Sequence, residues 1–315
     1  MIMNMPASTR LTTLQMAHFA ARGFLRLDEV VPDSINQRFL ADVGHVPASE
    51  VDSLWKHYGK IMHSSAIPLV NPGTPLDTAY PKDSAVAAVL GLPQVQGAIE
   101  SLVGANSVVD HHFLHITFPG RLYAAAGQPH VAQATHQDST IDPRRAFDMQ
   151  MMYFPHDVTR DMGGTRFIPG THLRVVSEAA IARYQNVKGQ QHMVCKAGTL
   201  LFLHHGIWHG GGRNDSERLR YMFKIRMCPT VPQTLLWDTH DLEARSETRP
   251  IFWNSNPSNA ETIESVLMTP EPWFEADTGR LEFVNRIKLW RYLTGNKTWD
   301  ADYWLTRIEN EYGNS

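Results

Sequence analysis

Arg218-Leu219-Arg220-Tyr221-Met222-Phe223-Lys224-Ile225-Arg226-Met227 alternates strictly: Leu219, Tyr221, Phe223 and Ile225 are apolar, and Arg220, Met222, Lys224 and Arg226 fall between them. Period two places these sets on opposite faces of one strand, with the apolar set toward a core. Working back along the chain, Phe147, Met149, Met151 and Tyr153 alternate with Asp148, Gln150 and Met152 and predict a second core strand. Residues 198–203, 192–195, 165–168 and 108–118 read as further strands. A Gly/Pro/Ala-rich loop occupies 119–133, and a helix-like insert 177–184. Many short strands between Gly and Pro turns predict a mainly β fold, a β-sandwich or jelly roll, spanning residues 107–230.

Helical patterns flank this core. Leu11, Leu14, Met16 and Phe19 share one helical face over 11–22. Thr12 and Gln15 are spaced as a capping box, and Gly23 supplies the stop. A short strand is expected at 24–27 and helices at 33–43, 53–62 and 84–103, the last broken near Gly91-Leu92-Pro93. A Pro/Gly-rich connection covers 68–81. Beyond Pro232, helices are expected at 260–267, 281–293 and 303–312. The chain reads as a single domain in three parts: a helical region (1–106) packing on the barrel, the β core (107–230), and a C-terminal helical extension (231–315). That extension could be a lid or a homodimer contact, with ordinary packing as the default for its aromatics (Trp253, Trp273, Phe274, Trp290, Tyr292, Trp304).

Composition narrows the class. The 315 residues are 43% hydrophobic and 19% charged, with a formal net charge of −3 and a pI near 6.6, which gives no basis for a nucleic-acid partner. Cys195 and Cys228 are too few for a disulfide scaffold. No apolar run reaches the ~20 residues that span a bilayer, and the first ten residues lack the apolar stretch of a signal peptide. The expected location is therefore the cytoplasm.

Within the β core stands His136-Gln137-Asp138, the one His-x-acid triplet in the chain. Chance alone gives about one or two at this composition, so the triplet by itself carries little. On an extended strand, however, residues i and i+2 share a face and could reach one ion. A third ligand must then come from a distant segment, and His204, His205 and His209 compete for that place. His204 and His205 follow an apolar strand. His209 lies in Trp208-His209-Gly210-Gly211-Gly212, where missing side chains permit close approach. Two imidazoles and a carboxylate form the facial triad that holds Fe(II) with open positions. An arginine such as Arg220 suits the far carboxylate of a dicarboxylate co-substrate, 2-oxoglutarate. His205 with Arg218 is the alternative pair. His111, His112 and His115 do not share one face of a strand and are read as structural.

These residues resemble the phytanoyl-CoA dioxygenase family of Fe(II)/2-oxoglutarate oxygenases. The likeness rests on His136-Gln137-Asp138, on Gly163-Gly164-Thr165-Arg166-Phe167-Ile168-Pro169-Gly170-Thr171-His172, and on His209 through Asn214 to Arg220, with a similar opening over 11–32. Met162 departs from the asparagine common before that first glycine. The resemblance implies a double-stranded β-helix (cupin-like) with His136, Asp138 and His209 on iron, and Arg220, Thr165 and Gln133 on 2-oxoglutarate. It also implies a small-molecule substrate and O₂ as partners, with hydroxylation as the default outcome and succinate and CO₂ as co-products. Asp138 argues against halogenation, because halogenating relatives carry a small residue there. Two other readings are a cupin-like metalloenzyme independent of 2-oxoglutarate, which would have no use for Arg220 or Thr165, and a non-catalytic ligand-binding barrel.

Overall fold

The computed structural model describes residues 9–62, 67–138, 144, 146–174, 176–183, 185–242, 262–275, 279–303 and 305–307. Helix α1 (Thr13–Arg22) begins at the expected capping box: Thr12 accepts from the Gln15 amide and Gln15 returns the bond to the Thr12 amide. It ends at Gly23 in the left-handed region, φ 76°. Strand β1 (Phe24–Leu27), α2 (Asp33–Asp42), α3 (Leu54–Met62), β2 (Thr74–Pro75), α4 (Ala85–Leu90) and α5 (Pro93–Leu102) complete the N-terminal part. The break between α4 and α5 falls at Gly91-Leu92, with Pro93 opening α5, where its missing N–H costs nothing.

Next come β3 (Val108–Thr117), α6 (Gly120–Ala125), β4 (Met149–Phe154), β5 (Thr165–Phe167), α7 (Glu178–Ile181), β6 (Gln191–His192), β7 (Thr199–His204), β8 (His209–Gly211) and β9 (Arg220–Cys228). Helices α8 (Ile263–Met268) and α9 (Gly279–Thr294) follow. All strand pairs are antiparallel. Six strands form one sheet in the order β1-β7-β4-β9-β3-β2, and three form a second, β6-β5-β8.

The large sheet is covered on both faces, which explains why every residue of β4 and β7 is buried. Its outer face carries Met149, Met151, Tyr153, Phe202, Phe223 and Ile225 into the main core against the helices; Phe39 meets Tyr153 at 5.2 Å and Phe223 at 5.7 Å between ring centres. Its inner face carries Met152, Leu201, Leu203 and Met222 against Phe167 and Met193 of the small sheet's side. The rings of Phe24 and Phe167, 4.9 Å apart, join the two sheets. The alternation over 147–153 is therefore real, but it separates two buried faces instead of core from solvent.

Three short elements were not expected. β2 pairs with β3 inside the Pro/Gly-rich connection, α6 occupies the start of the 119–133 loop, and β8 contains His209 itself. β6 is shorter than expected, and Cys195 instead bridges Val158. Of the helix expected at 303–312, residues 303 and 305–307 are described and helical; 308–312 and Trp304 lie outside the described residues, as do Trp253, the last residue of the insert expected at 177–184 and the first two residues of the helix expected at 260–267.

The C-terminal helices pack on α1, and the Trp237 indole donates to the Thr13 hydroxyl at 3.1 Å. The Trp273 indole donates to the Pro169 carbonyl at 2.7 Å, while Arg174 pairs with Glu282 at 2.5 Å and lies 4.6 Å over the Trp273 ring. This end of the chain thus clasps the Pro169-Gly170 turn. No helix among the described residues is long and apolar enough to cross a membrane.

Candidate metal centre

His136 and His209 face each other as an isolated antiparallel bridge, each backbone N–H donating to the other's carbonyl at 2.9 Å. Their ring centres are 4.4 Å apart. The Nδ1 atom of His136 donates to the Ala134 carbonyl at 2.9 Å, and that of His209 to the Ile207 carbonyl at 3.0 Å. With Nδ1–H committed to the backbone, both rings present an Nε2 lone pair. Each Nε2 points at Asp138: His136 Nε2 lies 3.7 Å from Oδ1, and His209 Nε2 3.7 Å from Oδ2. Ligand atoms from the three residues lie within 4.8 Å of one another, the only such group of three His, Cys, Asp or Glu among the described residues.

Chain geometry brings this about. Asp138 is held by its N–H to the His205 carbonyl at 3.1 Å. The triglycine after His209 lets backbones converge: a Cβ on Gly210 would lie 3.0 Å from the Ala134 carbonyl, and one on Gly212 2.9 Å from the Gly163 backbone. Gly163 itself has φ 62°, and a Cβ there would sit 2.0 Å from the Arg213 carbonyl.

Electrostatics suit a cation. Burial opposes ionisation of Asp138, but His209, Lys224, His136 and Arg226 outweigh it and hold the carboxyl below its usual value. Burial pushes the His209 imidazole down to about 4, against the opposing pull of Asp138, so the ring is neutral and able to ligate near pH 7. A neutral His209 imidazole beside an ionised Asp138 carboxylate suits a divalent metal.

Arg220 opens β9 nearby and is 5% exposed. One terminal nitrogen donates to the Gly163 carbonyl, the other to the Thr117 hydroxyl at 2.6 Å, and Nε has no partner. Burial pulls this guanidinium down to about 10. No carboxylate among the described residues pairs with it, so a buried cation is left needing an anion. Thr165 and Gln133 converge on the same place. Thr165 pairs with Gly211 across β5 and β8, and Gln133 Oε1 accepts from the Gly211 N–H at 3.0 Å. A Cβ on Gly211 would stand 3.6 Å from that oxygen and 3.7 Å from an Arg220 nitrogen.

The alternatives part from the site. His204 is wholly buried against Phe147 on the outer face, and His205 directs Nδ1 at the Asp148 backbone. Arg218 reaches the Thr159 hydroxyl at 2.6 Å on the surface. His112 bonds Tyr80 at 2.8 Å, and His111 pairs with Asp110. Met149 and Met151 point away from the triad, into the outer core. The inner face instead supplies residues that sequence reasoning passed over: Gln150, whose amide donates to Asp138 Oδ2; Lys224, 3.8 Å from the same oxygen; and Thr117. The signal available was the polar half of the 218–227 alternation.

An antiparallel two-sheet fold gathers two histidines and an aspartate at one point that could hold a metal ion. The profile of the phytanoyl-CoA dioxygenase (PhyH) family matches residues 19–222, and the chain belongs to that family. It is similar to the human peroxisomal phytanoyl-CoA dioxygenase, with 24% identity over 229 residues, 67% of this chain. The match spans 66% of that relative's length, just under two thirds. Solved structures with some likeness include HygX from Streptomyces hygroscopicus with nickel and 2-oxoglutarate bound (13% identity, 70% of this chain and 88% of that one, TM-score 0.47). Another is the α-ketoglutarate-dependent epimerase SnoN from nogalamycin biosynthesis (17%, 68% and 81%, TM-score 0.46).

Proposed function

We propose that this chain is an Fe(II)/2-oxoglutarate-dependent dioxygenase that oxidises a small molecule, with hydroxylation as the default outcome. We read its two sheets as the double-stranded β-helix of such enzymes and the helical regions 1–106 and 231–315 as parts of the same domain. The observation that carries the reading is the coincidence of the tautomer-locked His136/Asp138/His209 cluster with a buried, carboxylate-free Arg220. The triad alone would serve a metalloenzyme independent of 2-oxoglutarate; Arg220 favours the co-substrate.

His136, Asp138 and His209 would hold the metal on one face, leaving positions for co-substrate and O₂. Held there, iron with 2-oxoglutarate would supply the oxidising power, the co-substrate ending as succinate and CO₂. Gln150 holds Asp138 in place by donating to Oδ2. Arg220 and Thr117, already joined, would anchor the far carboxylate, and Thr165 and Gln133 would flank it across Gly211. The inner-face side chains Met152, Phe167 and Met222 exclude water behind the site.

The test is stoichiometric: Fe(II)-loaded protein incubated with 2-oxoglutarate and O₂, alone and with small-molecule panels, should release succinate. Iron binding without any succinate would refute the proposal.

A further inference from the structure

The strand that carries Arg220 directs three more side chains into the same interior, Met222, Lys224 and Arg226. Two of these are cations, and their surroundings differ. Arg226 is answered by Asp148 at 2.5 Å and Asp110 at 3.7 Å. Lys224, with a side chain only 11% exposed, has just Asp138 Oδ2, at 3.8 Å, among the described residues. That oxygen also faces His209 Nε2 at 3.7 Å and receives the Gln150 amide.

On the reading given under Proposed function, Asp138 is a metal ligand, and its charge is then taken by the divalent ion. Arg226 is neutralised by Asp148, while Asp110 is partly exposed and bonded to His111 at 2.6 Å, outside the buried set. The metal, Arg220 and Lys224 together bring four positive charges; Asp138 and a 2-oxoglutarate dianion bring three negative ones. Among these buried groups one unit of positive charge is left over, and Lys224 is the cation whose one carboxylate, Asp138, would be shared with the metal. Buried charge is costly unless paired. On the same inner face, Gln150 Oε1 and His115 Nε2 are buried without a hydrogen-bond partner among the described residues. Phe113, directly across from Lys224 in the β3–β9 register, is 39% exposed and gives this cation an apolar flank.

We propose that Lys224 is the substrate's recognition residue, and that the substrate carries a carboxylate which pairs with the Lys224 ammonium beside the metal, its apolar body lying along Phe113. The inference rests on the oxygenase reading, and it extends that reading by naming a substrate class, an amphipathic carboxylic acid.

The experiment uses the full chain loaded with Mn(II) and saturated with 2-oxoglutarate under nitrogen, a paramagnetic and catalytically silent state. Proton relaxation is measured for acetate, hexanoate and 3-phenylpropanoate, and for the primary amide of each. A probe held beside the metal is relaxed strongly. The expected result is that at least one acid is relaxed and its amide is not. Binding of that acid should weaken by roughly ten- to a hundredfold in Lys224→Gln, the range of a charge-assisted hydrogen bond, and persist in Lys224→Arg. Relaxation of amides equal to that of acids, no relaxation by any probe, or an undiminished effect in Lys224→Gln would each overturn the proposal. The amide comparison needs only the unaltered protein, so it stands even where a variant folds poorly. Failure of the underlying reading is seen separately, as failure of the protein to bind Mn(II) and 2-oxoglutarate before any probe is added.

Discussion

His136 and His209 exchange both of their backbone hydrogen bonds, at 2.9 Å each, and each donates its Nδ1–H to the carbonyl two residues before it. Backbone pairing thereby sets two side chains from distant parts of the chain as near mirror images across Asp138. The convergence of these three side chains is a property of the β architecture.

On the proposed reading, replacing either histidine would remove a metal ligand while leaving most of that backbone frame. Loss of an outer hydrogen-bond partner typically weakens a metal site by about 10- to 100-fold, so His136→Ala, His209→Ala and Asp138→Ala should each exceed that loss. Equilibrium dialysis with Fe(II) or Mn(II), with circular dichroism to confirm folding, checks it. Gln150→Ala should fall within the smaller range, because it frees Asp138 without deleting a donor.

Arg220→Ala should raise the 2-oxoglutarate requirement by roughly ten- to a hundredfold or more, with metal affinity little changed. Arg218→Ala should leave that requirement alone, since Arg218 ends on the Thr159 hydroxyl at the surface. A titration of 2-oxoglutarate against both variants separates them; the reverse pattern would move the anchor to Arg218.

Acid should destabilise the metal-free protein in a defined window. Burial holds His172 at about 3, and His115 and His209 at about 4. In the unfolded chain the same rings take protons near 6.5. Between 6.5 and about 4 the unfolded state binds more protons, so stability is full above 6.5 and falls as pH drops through the window. Each such histidine contributes up to about 1.4 kcal/mol per pH unit. Urea midpoints at pH 7.5, 5.5 and 4.5 should decline in that order, and a flat profile would contradict the burial.

Glycine substitutions should divide by surroundings. A Cβ at Gly164 would meet the Met193 carbonyl at 2.0 Å, where only backbone movement relieves it, and Gly164→Ala should cost about 2–4 kcal/mol. Gly59, inside α3 with nothing within 4 Å of its Cβ, is the opposite case, and Gly59→Ala should add about 0.5–1 kcal/mol. Thermal melts of the two variants test both signs.

Much of this was legible from local chemistry. The Thr12/Gln15 cap, the Gly23 stop, Pro93 at the start of α5 and the period-two runs at β4 and β9 sit where the sequence predicts. Short-range rules act within a few residues, and those signals are complete in the chain. What lay beyond them was which face of a buried strand is which. Met149 and Met151 have the character of pocket residues yet face the helices, while Lys224 and Gln150 have the character of solvent residues yet face Asp138. In a strand covered on both sides, polarity marks the site and not the surface. β8 was missed because His-Gly-Gly has no strand propensity; its pairing with β5 is imposed by the close approach that glycine permits.

The central claim is that the His136/Asp138/His209 cluster and Arg220 act together, holding a metal chelated by 2-oxoglutarate. Anaerobic addition of 2-oxoglutarate to the Fe(II)-loaded protein tests it directly, through the weak visible charge-transfer absorption that keto-acid chelation produces. The account predicts that the band appears with the native chain, needs much more 2-oxoglutarate in Arg220→Ala, and is absent in His209→Ala. Iron bound by the native chain with no band at any 2-oxoglutarate concentration would contradict it.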